Sequence, residues 1–128
     1  MEYRMLGKTG IKVSRLCFGA LVIGPLQRNL SIDEGAAVIE EALRLGVNFI
    51  DTADLYDTYP YIRRAMERTG IRPVISSKCY AYTREDAKRR LDRALTELGT
   101  DYIDLFLMHE QESEHTIRGH WEAFEYYL

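Results

Sequence analysis

Four short apolar runs begin at Arg15, Val47, Pro73 and Tyr102, and each is followed by a stretch of helical periodicity. The first three helical stretches close on Gly46, Gly70 and Gly99. Strand-length runs alternating with amphipathic helices form β-α units, in which the helix returns the chain so that successive strands run parallel, joined by right-handed crossovers. Recurrence at this spacing therefore limits the chain to a parallel α/β array.

The first strand covers residues 15–20, and a loop with Gly24, Pro25 and Asn29 leads to Ser31. Ser31 and Glu34 have the spacing of a capping box, and Ala37, Val38, Ala42, Leu43 and Leu45 line one helical face until Gly46. The second strand covers residues 47–50. Its helix begins near Thr58 with Pro60 in the first turn, continues through Ile62, Ala65 and Met66, and stops near Gly70. The third strand covers residues 73–79. Thr83 caps the next helix, with Ala87, Leu91, Ala94, Leu95 and Leu98 on its apolar face before Gly99. The fourth strand covers residues 102–108, and Ile117, Trp121, Phe124 and Leu128 mark a fourth helix still in progress at the last residue. Ahead of the array, residues 1–14 alternate apolar and polar around Gly7 and Gly10, the pattern of a β-hairpin. Residues 1–128 thus read as a single partial domain: a hairpin over 1–14, then four β-α units over 15–128 with the last helix truncated.

A doubly wound sheet is the rival arrangement, but no GxGxxG follows the first strand, and three successive strands end in reactive groups. The 128 residues suffice for one core, yet are half of the roughly 250 that an eight-unit β/α barrel uses. A net charge of -3 gives no basic footprint for nucleic acid. No apolar run approaches the roughly 20 residues of a membrane span, and residues 1–10 lack a signal peptide's apolar stretch. The expectation is a soluble cytoplasmic protein with no nucleic-acid or membrane partner. Cys17 and Cys79 lack CxxC spacing and read as buried, reduced thiols.

Chemistry concentrates at the strand ends. The stretch VNFIDTADLY ends the second strand on Asp51 and brings Tyr56 five residues later, the third strand delivers Lys78, and the fourth delivers His109. A phenol is a weak acid at neutral pH unless a nearby cation favours its phenolate. Lys78 can be that cation, with Asp51 holding its amine beside Tyr56 and His109 orienting a carbonyl oxygen. Strand alternation puts Phe49, Val74, Ser76, Leu105 and Leu107 on the same face as Asp51, Lys78 and His109. Taken singly, each of these four groups is more commonly a cap, a packed aromatic, a solvated strand end or a surface histidine.

Other motifs are weaker. Gly7-Lys8-Thr9 imitates the end of a P-loop, but position 2 is Glu where that motif needs Gly. His109-Glu110 imitates the start of a zinc HExxH, but position 113 is Ser, so no metal is expected. Asp54 and Asp57 read as caps for the following helix, and Tyr80, Tyr82, Tyr126 and Tyr127 as packing aromatics.

Taken together these residues resemble the aldo-keto reductase family. The motif D-x-A-x-x-Y stands at Asp51-Thr52-Ala53-Asp54-Leu55-Tyr56, S-K at Ser77-Lys78, and an apolar run before His at residues 105–109. The opening R-x-L-G-K-T-G-I-x-V-S runs from Arg4 to Ser14, and L-x-F-G from Leu16 to Gly19. The resemblance implies an α/β fold of TIM-barrel type, here the first four β-α units as a half-barrel behind the hairpin. It implies reduction of an aldehyde or ketone with Tyr56 as general acid and Asp51, Lys78 and His109 as its catalytic partners. NADPH is the usual cofactor. Gly19, Ala20 and Leu21, with Asp51, would lie at its nicotinamide end, where Ala20 stands in a position often occupied by Thr. The family grips the cofactor's phosphates and adenosine with loops after the seventh and eighth strands, which four units do not supply.

Two functional classes follow. One is an NADPH-dependent carbonyl reductase, as an assembly or as the catalytic half of a longer enzyme. The other is a non-catalytic half-barrel that only self-associates. A lone half-barrel would expose two sheet edges and the apolar set Phe18, Phe49, Val74, Leu105 and Leu107, so a homodimer or higher assembly is expected.

Overall fold

The computed structural model describes residues 1–109, 118 and 121–125, and its helices start and stop on the residues whose chemistry favours those ends. Helix α1 (Ile32–Arg44) opens on a full capping box: the Glu34 amide donates to Ser31 Oγ at 3.3 Å, and the Ser31 amide donates to Glu34 Oε2 at 3.0 Å. Helix α2 (Tyr59–Thr69) ends on Gly70 and helix α3 (Arg84–Leu98) on Gly99, both left-handed, at φ 67° and 68°. Thr83 caps α3 by accepting from the Asp86 amide. Residues 118 and 121–125 are also helical. Ile117 and Leu128 lie outside the described residues.

Strands β1 (Tyr3–Met5) and β2 (Lys12–Ser14) form the expected antiparallel hairpin. Strands β3 (Phe18–Gly19), β4 (Phe49–Asp51), β5 (Val74–Cys79) and β6 (Leu105–Met108) form one parallel sheet in chain order. A helix follows each step along the sheet, so the architecture is the half-barrel of a TIM-type fold.

The two faces of this sheet are covered unequally. Ile50 and Ile75, paired across β4 and β5, are fully buried against Ala36, Ile39, Ile62, Ala65, Ala94 and Leu98 of the three helices. On the opposite face Phe49, Val74 and Leu105 are half-buried, and Leu107 is 47% exposed. A second small cluster joins Cys79, Ala81, Ala87 and Ala123, and Phe106 meets Phe124 edge to face at 5.9 Å.

Several sequence expectations need correction. Phe18 pairs with Ile50 and packs on the main core, so it belongs to the helix side, and Gly19 is the β3 residue on the open face. Cys17 is exposed and only Cys79 is buried; both are free thiols. The first strand is far shorter than residues 15–20 because its leading residues bond elsewhere: the Arg15 amide donates to Glu2 O, and Ser14 Oγ to Leu16 O. The fourth begins at Leu105 rather than Tyr102 because a side chain takes over the ladder. Asp104 Oδ2 accepts from the Ile75 amide at 2.9 Å and from Arg72 at 2.7 Å, while Arg72 stacks over the Tyr102 ring at 3.7 Å.

Close packing of α1 on α2 depends on one missing methyl. A Cβ on Gly35 would lie 2.4 Å from Tyr61 Cδ1, and Tyr61 is buried with its hydroxyl donating to Leu30 O at 2.8 Å. Gly35→Ala is therefore expected to destabilise the chain by about 1–2 kcal/mol, overpacking outweighing the gain in helix propensity. Urea unfolding checks this, and an unchanged or raised midpoint would contradict it.

Candidate active site

Parallel register gathers the strand-end groups. Asp51 ends β4, Lys78 lies on the same face of β5, and His109 follows β6, its amide donating to Cys79 O at 2.9 Å and so continuing the pairing one residue past the strand. Lys78 Nζ donates to both oxygens of Asp51, at 2.9 and 2.8 Å, and to Thr52 O at 2.8 Å. Three acceptors use all three of the ammonium's protons. The Lys78 side chain is only 15% exposed against 40% for Asp51, so the amine is held under the rim while the carboxylate partly faces water.

Tyr56 reaches this pair from the 3-10 turn Asp54–Tyr56 that follows β4. Lys78 Nζ lies 5.0 Å from the Tyr56 ring centroid, and the His109 ring stands edge-on to Tyr56 at 5.6 Å. The four groups singled out from sequence are thus brought to one rim. Behind them, Tyr59 Oη and Ser77 Oγ share a buried hydrogen bond of 2.7 Å that ties the first turn of α2 to the residue before Lys78. Burial raises the Tyr59 phenol above its ordinary pKa, with Ser77 partly opposing.

Tyr80 had read as simple packing and stands elsewhere: its ring stacks on His109 at 4.6 Å and 19°. The alternation that put Lys78 on the open face also puts Tyr80 there, two residues on, and was the available signal. Asp54 and Asp57 do not cap α2, whose N-cap Thr58 has no side-chain cap bond and shares a 2.7 Å hydrogen bond with Thr52 instead. Asp54 accepts from Arg90 Nη1 at 2.6 Å and Arg93 Nη1 at 3.2 Å, and Asp57 from Arg93 Nη2 at 2.6 Å. Burial opposes the charge on Arg90, yet hydrogen bonds to Asp54 and Asp86 leave its pKa above the ordinary value. Arg93 is raised too, by Glu97 first and then Asp57.

Gly19 pairs with Asp51 across the sheet, and a Cβ built on it meets nothing within 4 Å. Ala20 has no exposed surface and packs in the main core, while Leu21 is half-buried. Gly19 thus leaves open space beside the Asp51 end of β4. Next to Asp51, local burial of the sulfur and then the Asp51 carboxylate push the Cys17 thiol up to about 11, so it is protonated at neutral pH. Among the described residues no three His, Cys, Asp or Glu side chains group as metal ligands. No helix among them is long and apolar enough to cross a membrane.

Residues 15–127 match the model of the Aldo/keto reductase family. L-galactose dehydrogenase of Arabidopsis thaliana is 30% identical over 126 residues, covering 88% of this chain and 39% of that protein. The uncharacterized oxidoreductase YrpG of Bacillus subtilis is 32% identical over 151 residues, covering 98% of this chain and 45% of that protein. The holo form of an aldo-keto reductase from Bacillus halodurans superposes with a TM-score of 0.85 at 27% identity, over 98% of this chain and 46% of that one. The chain spans less than half the length of each of these relatives. By sequence and by fold, it belongs to the aldo-keto reductase family of oxidoreductases and carries about half of that family's barrel.

Proposed function

We propose that this half-barrel carries the acid-base machinery of an NADPH-dependent reductase of aldehydes or ketones, and that it works with a further half of the barrel. The observation that supports this reading most directly is the Lys78 ammonium, closed on both Asp51 oxygens and lying 5.0 Å from the centroid of the Tyr56 ring. A lysine held this way is a fixed cation beside a phenol, placed to stabilise the charge left there when the proton is given up.

In this reading Tyr56 gives its hydroxyl proton to the substrate oxygen as negative charge develops there. Lys78 stabilises the phenolate left behind, and Asp51 keeps the amine from turning away. His109 donates a hydrogen bond to the same oxygen and fixes its direction, with the stacked Tyr80 limiting how far the imidazole can rotate. Gly19, Leu21 and Asp51 would hold the nicotinamide end of the cofactor, with Ala20 behind them in the core. When bound, that cofactor supplies the hydride. A small carbonyl compound is the substrate class.

The alternative is a half-barrel without cofactor that serves as a self-associating unit, and the observation that favours it is the exposure of Leu107 on the open face. For either reading we infer that, in the isolated chain, a second copy covers the face of Phe49, Val74, Leu105 and Leu107, because among the described residues that apolar surface stays part-open and β3 and β6 are the edge strands of the sheet.

Three measurements separate these possibilities. Tyr56→Phe, in the assembly or the longer enzyme that turns over, is expected to lower kcat by about 10²- to 10⁴-fold with the fold intact by circular dichroism; turnover near the wild-type level would remove Tyr56 as the acid. Fluorescence titration with NADPH is expected to saturate, and a flat titration at millimolar cofactor would favour the non-catalytic reading. Light scattering is expected to give a dimer or larger, whereas a well-folded monomer would dismiss the second copy.

A further inference from the structure

Asp54 is a buried charge that the acid-base set does not use. Its side chain is 4% exposed, and two guanidinium groups from α3 grip it, Arg90 on Oδ2 and Arg93 on Oδ1. Arg93 reaches further to Asp57, whose backbone stands at φ 53° and ψ 36°, in the left-handed region that Asp enters more readily than most residues other than glycine. Asp54 and Asp57 sit two residues before and one residue after Tyr56.

Gain in stability is a poor explanation for this arrangement. Replacing a buried ion pair with apolar residues of similar volume is often neutral or favourable, and here Asp54 is buried while Arg90 and Arg93 are 34% and 43% exposed, so the arrangement is read for the geometry that it fixes. Here the geometry concerned is the turn that carries the phenol. The same turn is closed by the Tyr56 amide on Ala53 O at 3.0 Å and backed by Gly24, where a Cβ would meet Thr58 Cγ2 at 2.4 Å and Tyr56 O at 3.0 Å. These contacts limit where the turn can sit, and the arginines hold its buried and left-handed ends.

We propose that Arg90 and Arg93 are positioning residues for Tyr56: through Asp54 and Asp57 they lock the turn that sets the phenol beside Lys78 and edge-on to His109. This rests on the reading of Tyr56 as proton donor. Neither arginine touches the reacting atoms; α3 thereby acts on the rim from behind the sheet.

Tyrosine rings labelled with ¹³C give the readout on the chain itself, with Tyr56→Phe identifying the Tyr56 signal. Wild-type protein is expected to show cross-relaxation from the Tyr56 ring to the His109 ring and to the Lys78 side chain. Asp54→Asn is expected to abolish both contacts while the buried Tyr59 and Tyr61 signals stay in place as a report on the core. Both contacts surviving in that variant would overturn the proposal. Should Asp54→Asn fail to fold, Arg93→Gln at a half-exposed side chain is read in the same way: lost contacts support the lock, and unchanged contacts defeat it. Where turnover is measurable, Asp54→Asn is expected to lower kcat by about 100-fold with KM unchanged, the signature of a misplaced group. A brace that served stability alone would leave kcat per folded molecule untouched. Because Tyr56→Phe leaves the arginine lock intact, the two ideas fail separately: turnover kept in that variant removes the donor, and contacts kept in Asp54→Asn remove the lock.

Discussion

A parallel sheet has two faces to keep from water, and among the described residues the helices cover one. Ile50 and Ile75 lie under α1, α2 and α3 with no surface left, while their neighbours Phe49, Val74 and Leu105 on the other face remain half open. Parallel sheets are ordinarily buried on both sides. The inequality explains why apolar burial is concentrated between sheet and helices, and why the reactive groups stand on the sparsely covered side. In a closed barrel that side is the interior, and its rim is where strand ends meet.

Charge then organises the rim. Lys78 is satisfied by three oxygens, all from the end of β4 and the residue after it, so the ammonium stitches two neighbouring strands at the height of Tyr56. Tyr59 with Ser77 and Thr52 with Thr58 add neutral hydrogen bonds on the helix side of the same junction. Burying hydroxyl pairs in this way satisfies both partners and keeps the loop between β4 and α2 from drifting. The rim is therefore rigid for reasons that lie beneath it.

Much of this was legible in the chain. Ser31 and Glu34 announce a helix start by chemistry local to three residues, and Gly70 and Gly99 announce helix ends because a left-handed residue needs no partner elsewhere. Asp51, Lys78 and His109 could be read as strand ends because alternation fixes their face. What stayed hidden depended on partners far along the chain. Arg90 and Arg93 stand 36 and 39 residues from Asp54, and nothing in the local pattern marks them as its partners, so Asp54 and Asp57 read as caps. Phe18 read as facing inward because nothing local to residues 15–20 fixes their register, and it is pairing with Ile50 that turns Phe18 to the helix side. Cys17 read as buried because thiols usually are.

Asp104 has an effect out of proportion to its distance from the rim. Its carboxylate takes the Ile75 amide and Arg72, so β6 starts from a fixed datum against β5. Side chains alternate with a period of two, and a slide of β6 by one position would turn Leu105, Leu107 and His109 to the helix side. An anchor at the foot of the strand thus chooses which way an imidazole five residues away emerges, much as the zero mark of a vernier decides every reading further along its scale.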